Sequence, residues 1–430
     1  MNKALASLSG ILIFSSFLIT FLAYFFNNSL LIIAGVLAWL SLSFSYTSLK
    51  SKKMLNILLL LSLIAFAICF FYGFSIDFVK VFTVNQYLLT LLIGVGFLRL
   101  IATPKKDKSA NLPKGKQSFL KTYLGVHLFG SVINLSSLIL VADKLYKKAN
   151  LTKTQIVLLT RAFSTDAYWS PFFVAFAAAL TYAPNLKAGV ILINGLILAF
   201  IAFLFTYYEV NKDKSFNLDE FRGYPMAFDT LLLPFCLAVL VLLTNHFYPD
   251  IKVIVLISLF SFLLTILVLP IKKGVSKTTS KIVNHIFEEL PKMKVELSLF
   301  LIAGMFGISV SSILLGLELT LPFEEFDWII ASILLAIFIV LAFVGIHPII
   351  TIAIIGEFLS SVNHTLLAVT FLMAWATTVS TSPFSGLNLT IVARYNLNAK
   401  DIFKANIFYA LKMYIVGVVC LYILSNFIKL

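Results

Sequence analysis

The chain has 430 residues, 60% of them hydrophobic and 12% charged, with a formal net charge of +14 and a mean hydropathy of +1.00. This composition excludes a soluble enzyme and places the chain in a lipid bilayer. Lys and Arg gather in a few loops, so the charge reports orientation across a membrane and does not point to nucleic acid.

Lys3 precedes the first apolar run, but no small-residue cleavage site follows and more apolar segments come after it. A retained first helix is therefore expected. Apolar windows near 11–26, 30–46, 54–74 and 87–101 read as four membrane spans. A basic stretch, 105–121, follows them. If it and the loop with Lys50, Lys52 and Lys53 are both cytoplasmic, the N-terminus is cytoplasmic too.

The apolar stretch 118–142 has Lys114, Lys116 and Lys121 before it and Lys144, Lys147, Lys148 and Lys153 after it. Its middle holds Gly125, His127, Gly130, Ser131, Asn134, Ser136 and Ser137, which suits a re-entrant hairpin entering from the cytoplasm. Residues 155–182 should then cross outward. Their centre contains Arg161, Asp166 and Pro171, so a broken helix is expected there.

Crossings at 188–207, 228–243, 253–270 and 297–315 follow, with Lys212, Lys214, Arg222 and the basic run 272–294 inside. Asp250, Glu318, Glu324, Glu325 and Asp327 fall outside, whereas only Lys80, Lys187, Lys252 and Lys429 are left as outer lysines. A second hairpin is expected at 328–361, interrupted by Gly345-Ile346-His347-Pro348. A second broken helix follows at 366–394, and the last crossing at 402–428.

The fold class is thus an all-α polytopic membrane protein with about eleven transmembrane helices and two re-entrant hairpins. Residues 1–117 form leading scaffold helices, 118–208 a first repeat, 209–327 connecting scaffold helices and 328–430 a second repeat. The setting is a multi-pass protein of a bacterial inner membrane. Cys69, Cys236 and Cys420 lie far apart in apolar runs without ligand spacing, and read as reduced packing residues. No metal site and no cofactor are expected.

The two broken helices align without gaps, Phe163 to Phe172 over Trp375 to Phe384, with Ser170-Pro171-Phe172 over Ser382-Pro383-Phe384 at an offset of 212. Leu124-Gly125-Val126-His127 aligns with Val344-Gly345-Ile346-His347 at an offset of 220. Each copy reads hairpin, broken helix, closing helix, and the charge pattern starts the copies from opposite sides. This is the pattern of an inverted-topology repeat. Half-helices that end within hydrocarbon leave backbone N–H and C=O groups that lipid does not satisfy but a polar solute does. The sequence therefore points to a secondary carrier working by alternating access.

The order of elements resembles the ion transporter superfamily, closest in layout to divalent anion/sodium symporters and the related arsenite-pump and citrate carriers. The symporter branch carries Ser-Asn-Thr at both hairpin tips. Here the first hairpin has Gly130-Ser131-Val132-Ile133-Asn134-Leu135-Ser136-Ser137 and the second Gly345-Ile346-His347-Pro348, so the likeness is one of topology and not of motif. The resemblance implies an elevator-type carrier, often a homodimer, moving a small anion with sodium or protons.

The candidate site residues are Ser164, Thr165, Asp166 and Ser170 at the first break and Thr377, Thr378, Ser380, Thr381, Ser382, Ser385 and Asn388 at the second. Their oxygens either coordinate a guest or cap the half-helices. His127, Ser131, Asn134 and His347 join them from the hairpins, with the two histidines read as equivalent tip residues. Arg161 is a charge partner, either for Asp166 or for a substrate carboxylate. Glu357 is a weaker proton-site candidate, Lys412 receives no role, and His246, His285 and His364 are placed in loops. An enzyme is not expected: Ser382-Pro383-Phe384-Ser385-Gly386 is not a nucleophile turn, and neither HExxH nor an acidic dyad is present. A channel or a flippase for a lipid-linked substrate remains the alternative.

Overall fold

The structure, a computed structural model, describes residues 3–49, 52–102, 112–213, 215–224 and 232–427. The expectations for Lys50, Lys214, Lys429, much of the basic stretch 105–121 and the start of the 228–243 crossing lie outside the described residues. The described chain is all-helical, without a strand. Helices α1 (Lys3–Phe25), α2 (Leu30–Tyr46), α3 (Lys53–Tyr72), α4 (Phe78–Thr83) and α5 (Gln86–Ala102) come first. Next are α6 (Lys116–Ile133), α7 (Leu135–Tyr146), α8 (Lys153–Ser164), α9 (Val174–Tyr182) and α10 (Ala188–Lys212). Then come α11 (Leu232–Phe247), α12 (Val253–Lys273), α13 (Val275–Asn284), α14 (Lys294–Gly316), α15 (Trp328–Phe343) and α16 (Pro348–Gly356). The last three are α17 (His364–Thr381), α18 (Gly386–Tyr395) and α19 (Ala399–Phe427).

Among the described residues, eight segments are long and apolar enough to cross a membrane: Ala4–Phe25, Lys53–Tyr72, Phe78–Ala102, Ala188–Lys212, Val253–Lys273, Val275–Gly316, His364–Tyr395 and Ala399–Asn426. Three shorter apolar helices, Leu30–Tyr46, Phe235–Phe247 and Trp328–Phe343, accompany them. Several long apolar helices of this kind are the mark of a multi-pass membrane protein.

The chain divides into two compact units. The first comprises Met1–Ile101, Phe235–Pro322 and Ile349–Ser360. Its helices approach closely where side chains are small, as apolar helices must when no water drives them together. A Cβ on Gly10 would stand 2.1 Å from the Ile286 carbonyl oxygen, and one on Gly307 2.3 Å from that of Ala353. Several polar groups in this unit are paired internally. Gln86 Nε2 donates to Ser16 Oγ (2.6 Å) and Thr20 Oγ1 (3.1 Å), and Ser9 and Ser41 share a 2.7 Å hydroxyl contact. Glu357 pairs with Lys80 of α4. His285, expected in a loop, is buried in the helical turn His285–Glu289 with its ring centroid 4.5 Å from that of Phe97.

The second unit comprises Ala102–Pro234, Phe323–Pro348 and Ser361–Leu430. Residues 215–224, assigned to the connecting scaffold, pack on the start of α6: Gly115 N donates to Phe221 O (2.9 Å) and Gly223 N to Pro113 O (2.9 Å). Residues 349–360, assigned to the second repeat, belong to the first unit.

Within the second unit, α17 is the central element, with α8, α9, α10, α15, α18 and α19 packed against it. Its four-turn core is buried throughout, from Thr365 to Thr378. Local signals set the helix ends. Thr152 and Gln155 form a reciprocal capping box at α8, Asn363 Oδ1 accepts from Thr365 N and Leu366 N at α17, and Asp327 Oδ1 accepts from Ile329 N and Ile330 N at α15.

Candidate functional site

Both helix interruptions expected from sequence are present in the second unit. Helix α8 ends at Ser164, passes through a 3-10 turn (Thr165–Tyr168), and helix resumes only at Val174. Helix α17 ends at Thr381 and α18 starts at Gly386. Proline causes each break, since Pro171 and Pro383 have no N–H to continue a ladder.

The serine before each proline makes the same set of bonds. Ser170 N donates to Asp166 O (2.9 Å), and Ser382 N to Thr378 O (2.8 Å). Ser170 Oγ donates to Ser131 O on the first helix pair (2.5 Å), and Ser382 Oγ to Ala342 O on the second (2.6 Å). Each Oγ then accepts from a backbone amide two residues on, Phe172 N and Phe384 N, at 3.2 Å in both cases. Ser170 and Ser382 are buried, so each hydroxyl stitches a broken helix to a neighbouring helix, α6 or α15, and uses its lone pair on the freed backbone.

The two helix–turn–helix elements pivot on residues with positive φ. Asn134 (φ 52°) links α6 to α7, and Gly345 (φ 105°) lies between α15 and α16. Asn134 takes a positive φ with ψ −143°, outside the left-handed helical region, and its Nδ2 donates to Phe172 O (3.4 Å). This geometry corrects the pairing of the histidines. His127 sits inside α6, two turns before Asn134, whereas His347 lies in the turn just after Gly345. Their tetrapeptides match in sequence but not in place relative to the two turns.

His127, Thr165 and Asp166 do come together, with Trp169 added. His127 Nδ1 lies 3.0 Å from Thr165 Oγ1, 3.3 Å from Ala162 O and 2.8 Å from Asp166 Oδ1. Trp169 Nε1 donates to His127 Nε2 (3.2 Å). Asp166 has no solvent exposure, and neither carboxylate oxygen has an aligned hydrogen-bond donor. A buried carboxylate left this way is costly in its ionised form.

Arg161 does not pair with Asp166. It is fully buried and donates through Nη1 and Nη2 to the two oxygens of Glu209 (3.2 and 3.0 Å), through Nε to Asn406 Oδ1 (2.8 Å) and through Nη2 to Ala405 O (2.8 Å). Its guanidinium lies 4.3 Å from the Tyr409 ring centre. With its donors so engaged, Arg161 holds α8 to α10 and α19 and is not available to a substrate carboxylate. Lys412 adds a 3.5 Å contact to Glu209.

At the second break the polar residues bond mainly to one another and to local backbone. Ser385 Oγ caps α18 by accepting from Asn388 N (3.1 Å) and donates to Val379 O (2.8 Å). Asn388 Nδ2 donates to Ser380 O (3.1 Å) and Ser382 O (2.9 Å), leaving its buried Oδ1 without a donor. Ser380 and Thr381 hydroxyls meet at 3.3 Å, and Thr378 Oγ1 donates to Trp375 O. Ser164 similarly returns its hydroxyl to Arg161 O (3.0 Å). Thr377 is buried on α17. A cavity of about 20 Å³, large enough for one water, is lined by His347, Thr378, Ser382 and Ser385. Among the described residues no group of three His, Cys, Asp or Glu is placed to hold a metal.

Three participants escaped the sequence reading: Glu209, Asn406 and Trp169. Asn406 bridges both breaks, since its Nδ2 donates to Ser380 O (3.0 Å) and Thr160 Oγ1 (3.3 Å) while its Oδ1 accepts from Arg161. The available signal was a lone amide in the apolar run of α19, on one helical stripe with Ile402, Ala405 and Tyr409.

A different ion pair joins the ends of α7 and α18. Asp143 accepts from Arg394 Nε (2.7 Å) and Nη2 (2.8 Å) and from the Tyr395 hydroxyl (2.9 Å). Hydrogen bonds from Arg394 above all hold the Asp143 carboxyl below the ordinary aspartate range, against partial burial. The pair is half exposed, so Asp143→Asn is expected to cost no more than about 1 kcal/mol. The difference from the parent, read as a thermal-unfolding shift in detergent, should shrink in high salt. Because the folded-state value is depressed, the contribution is present at neutral pH and lost as pH falls below about 3.9.

No protein-family model matches this chain, and no curated protein matches it.

Proposed function

We propose that the protein is a secondary active transporter that moves a small anionic solute by an elevator-type mechanism, coupled to sodium or protons. The observation that carries this reading is the congruence of the two breaks: one serine, one hairpin carbonyl acceptor and one freed amide in each, 212 residues apart. The hairpin turns support the same register, since Asn134 and Gly345, and likewise Ser131 and Ala342, are 211 residues apart. An ancestral repeat explains both offsets with one residue of difference, and the charge pattern gives its copies opposite orientation.

In this reading the helix pairs α6–α7 and α15–α16 are re-entrant hairpins. The eleven crossings are the eight long segments, α2, α11, and α8 with α9 taken as one broken crossing, with the N-terminus in the cytoplasm. The second compact unit holds both breaks. Half-helix N-termini with their positive dipole ends, together with Ser and Thr hydroxyls, favour an anion between the breaks.

The test is gradient-driven uptake into proteoliposomes, using a panel of labelled carboxylates and inorganic oxyanions. Saturable uptake is expected in the parent. Ser170→Leu and Ser382→Leu should each lower it at least about tenfold while membrane insertion persists, because each removes a stitch worth roughly 1–3 kcal/mol. Undiminished uptake in both variants removes the reading, and non-saturable flux in the parent replaces it with a channel.

A further inference from the structure

Asp166 is an ionisable side chain with no exposure, no aligned donor and a space kept open for it. A Cβ on Gly130 would stand 2.1 Å from Asp166 Oδ2 and 3.1 Å from the Phe163 ring, so this oxygen rests against bare backbone and an aromatic edge. Oδ1 faces the His127 ring nitrogen at 2.8 Å. These surroundings offer a sodium ion few oxygen partners, and sodium, like other hard cations, requires several.

The hydrogen-bond partners of His127 assign its tautomer. An indole N–H only donates, so the contact of 3.2 Å from Trp169 Nε1 makes His127 Nε2 an acceptor. Neutral imidazole carries a single proton, which is then on Nδ1, facing Thr165 Oγ1, Ala162 O and Asp166 Oδ1. An imidazolium would set two N–H groups against each other at that distance. A proton entering the cluster is therefore directed to the carboxyl and away from the ring.

We propose that the coupling ion of this transporter is a proton, carried on the Asp166 carboxyl, with His127 and Trp169 as positioning residues. This rests on the transporter reading above. The step is a simple protonation: the carboxylate plus one proton gives the neutral carboxyl, while His127 keeps its Nδ1 proton throughout. The titratable groups facing Asp166 are His127 and Tyr123 from α6, while the Arg161 charge on α8 is committed to Glu209 of α10. Helix α17 contributes only His364, at its first residue, and α9 only Tyr182, at its last.

Infrared difference spectroscopy of the full chain in liposomes tests this with protons and sodium as the probes. A protonated-carboxyl C=O band should grow as pH is lowered, vanish in Asp166→Asn, and stay unchanged when sodium replaces potassium at fixed pH. Trp169→Phe frees His127 Nε2, so the carboxyl band should weaken and an imidazolium band appear at the same pH. A band retained in Asp166→Asn, or lost on adding sodium, overturns the proposal, and an unaltered band in Trp169→Phe overturns the positioning role. Failure of the two readings is separable. If the band behaves as expected but no anion moves under a proton gradient, the transporter reading falls and the proton site stands. If Asp166→Asn retains proton-driven uptake at the parental rate, the coupling assignment falls and transport stands.

Discussion

Arg161→Met is expected to lower stability by about 3–5 kcal/mol, the usual consequence of removing one partner from a buried ion pair. Methionine fills much of the arginine stem, so packing loss is small and the effect isolates the charge and its hydrogen bonds. The substitution leaves Glu209, whose side chain is only 23% exposed, with Lys412 at 3.5 Å as its remaining cation. It also strands Asn406 Oδ1, an acceptor for Arg161 in the parent, and removes a second donor from the Ala405 carbonyl. Thermal unfolding in detergent, followed by loss of the monodisperse peak, reads the change. Arg161→Met with Glu209→Met should recover part of the loss, since the double variant buries no unpaired charge. An unchanged unfolding temperature in the single variant would mean that the network does not hold α8, α10 and α19 together.

This arginine also marks where sequence reasoning stopped. The breaks at 164–174 and 381–386 were legible because proline and clustered hydroxyls within apolar runs are local signals. Long apolar windows likewise anticipated the all-helical architecture, since crossing length is a one-dimensional property. The partner of Arg161 was not legible. Asp166, five residues away, was the nearest acid in sequence, whereas Glu209 is 48 residues off and reaches Arg161 only through the packing of α10 on α8.

The histidines show a related limit. Gly-Val-His and Gly-Ile-His are similar strings, but a helix–turn–helix aligns by the residue that adopts positive φ, and Asn134 and Gly345 share no side-chain chemistry that a string comparison detects. The two Ser-Pro-Phe motifs make alike local bonds because their serine and proline act on the adjoining backbone. Chemistry that shapes backbone is readable one residue at a time; chemistry that meets across helices is not.

Gly130→Ala should destabilise the protein by about 1–3 kcal/mol, as overpacking of a filled interior does. The sign is the diagnostic. In a helix interior the same change ordinarily stabilises by roughly 0.5–1 kcal/mol, and Gly189→Ala near the start of α10, where nothing lies within 4 Å of a new Cβ, should show that ordinary behaviour. At Gly130 the new methyl meets Asp166 Oδ2 at 2.1 Å. Asp166 has little room to retreat, because its turn is fixed by Ser170 N donating to its carbonyl and Ser170 Oγ is tied in turn to Ser131 O of the same α6 helix. Asp166→Ala removes the obstructing oxygens, so in that background Gly130→Ala should cost less than about 0.5 kcal/mol. Asp166→Asn keeps the shape and removes the charge, so there the full penalty should remain. A penalty that persists with Asp166→Ala would show that the carboxyl does not fill the space Gly130 leaves; one that disappears with Asp166→Asn would make the conflict electrostatic rather than steric.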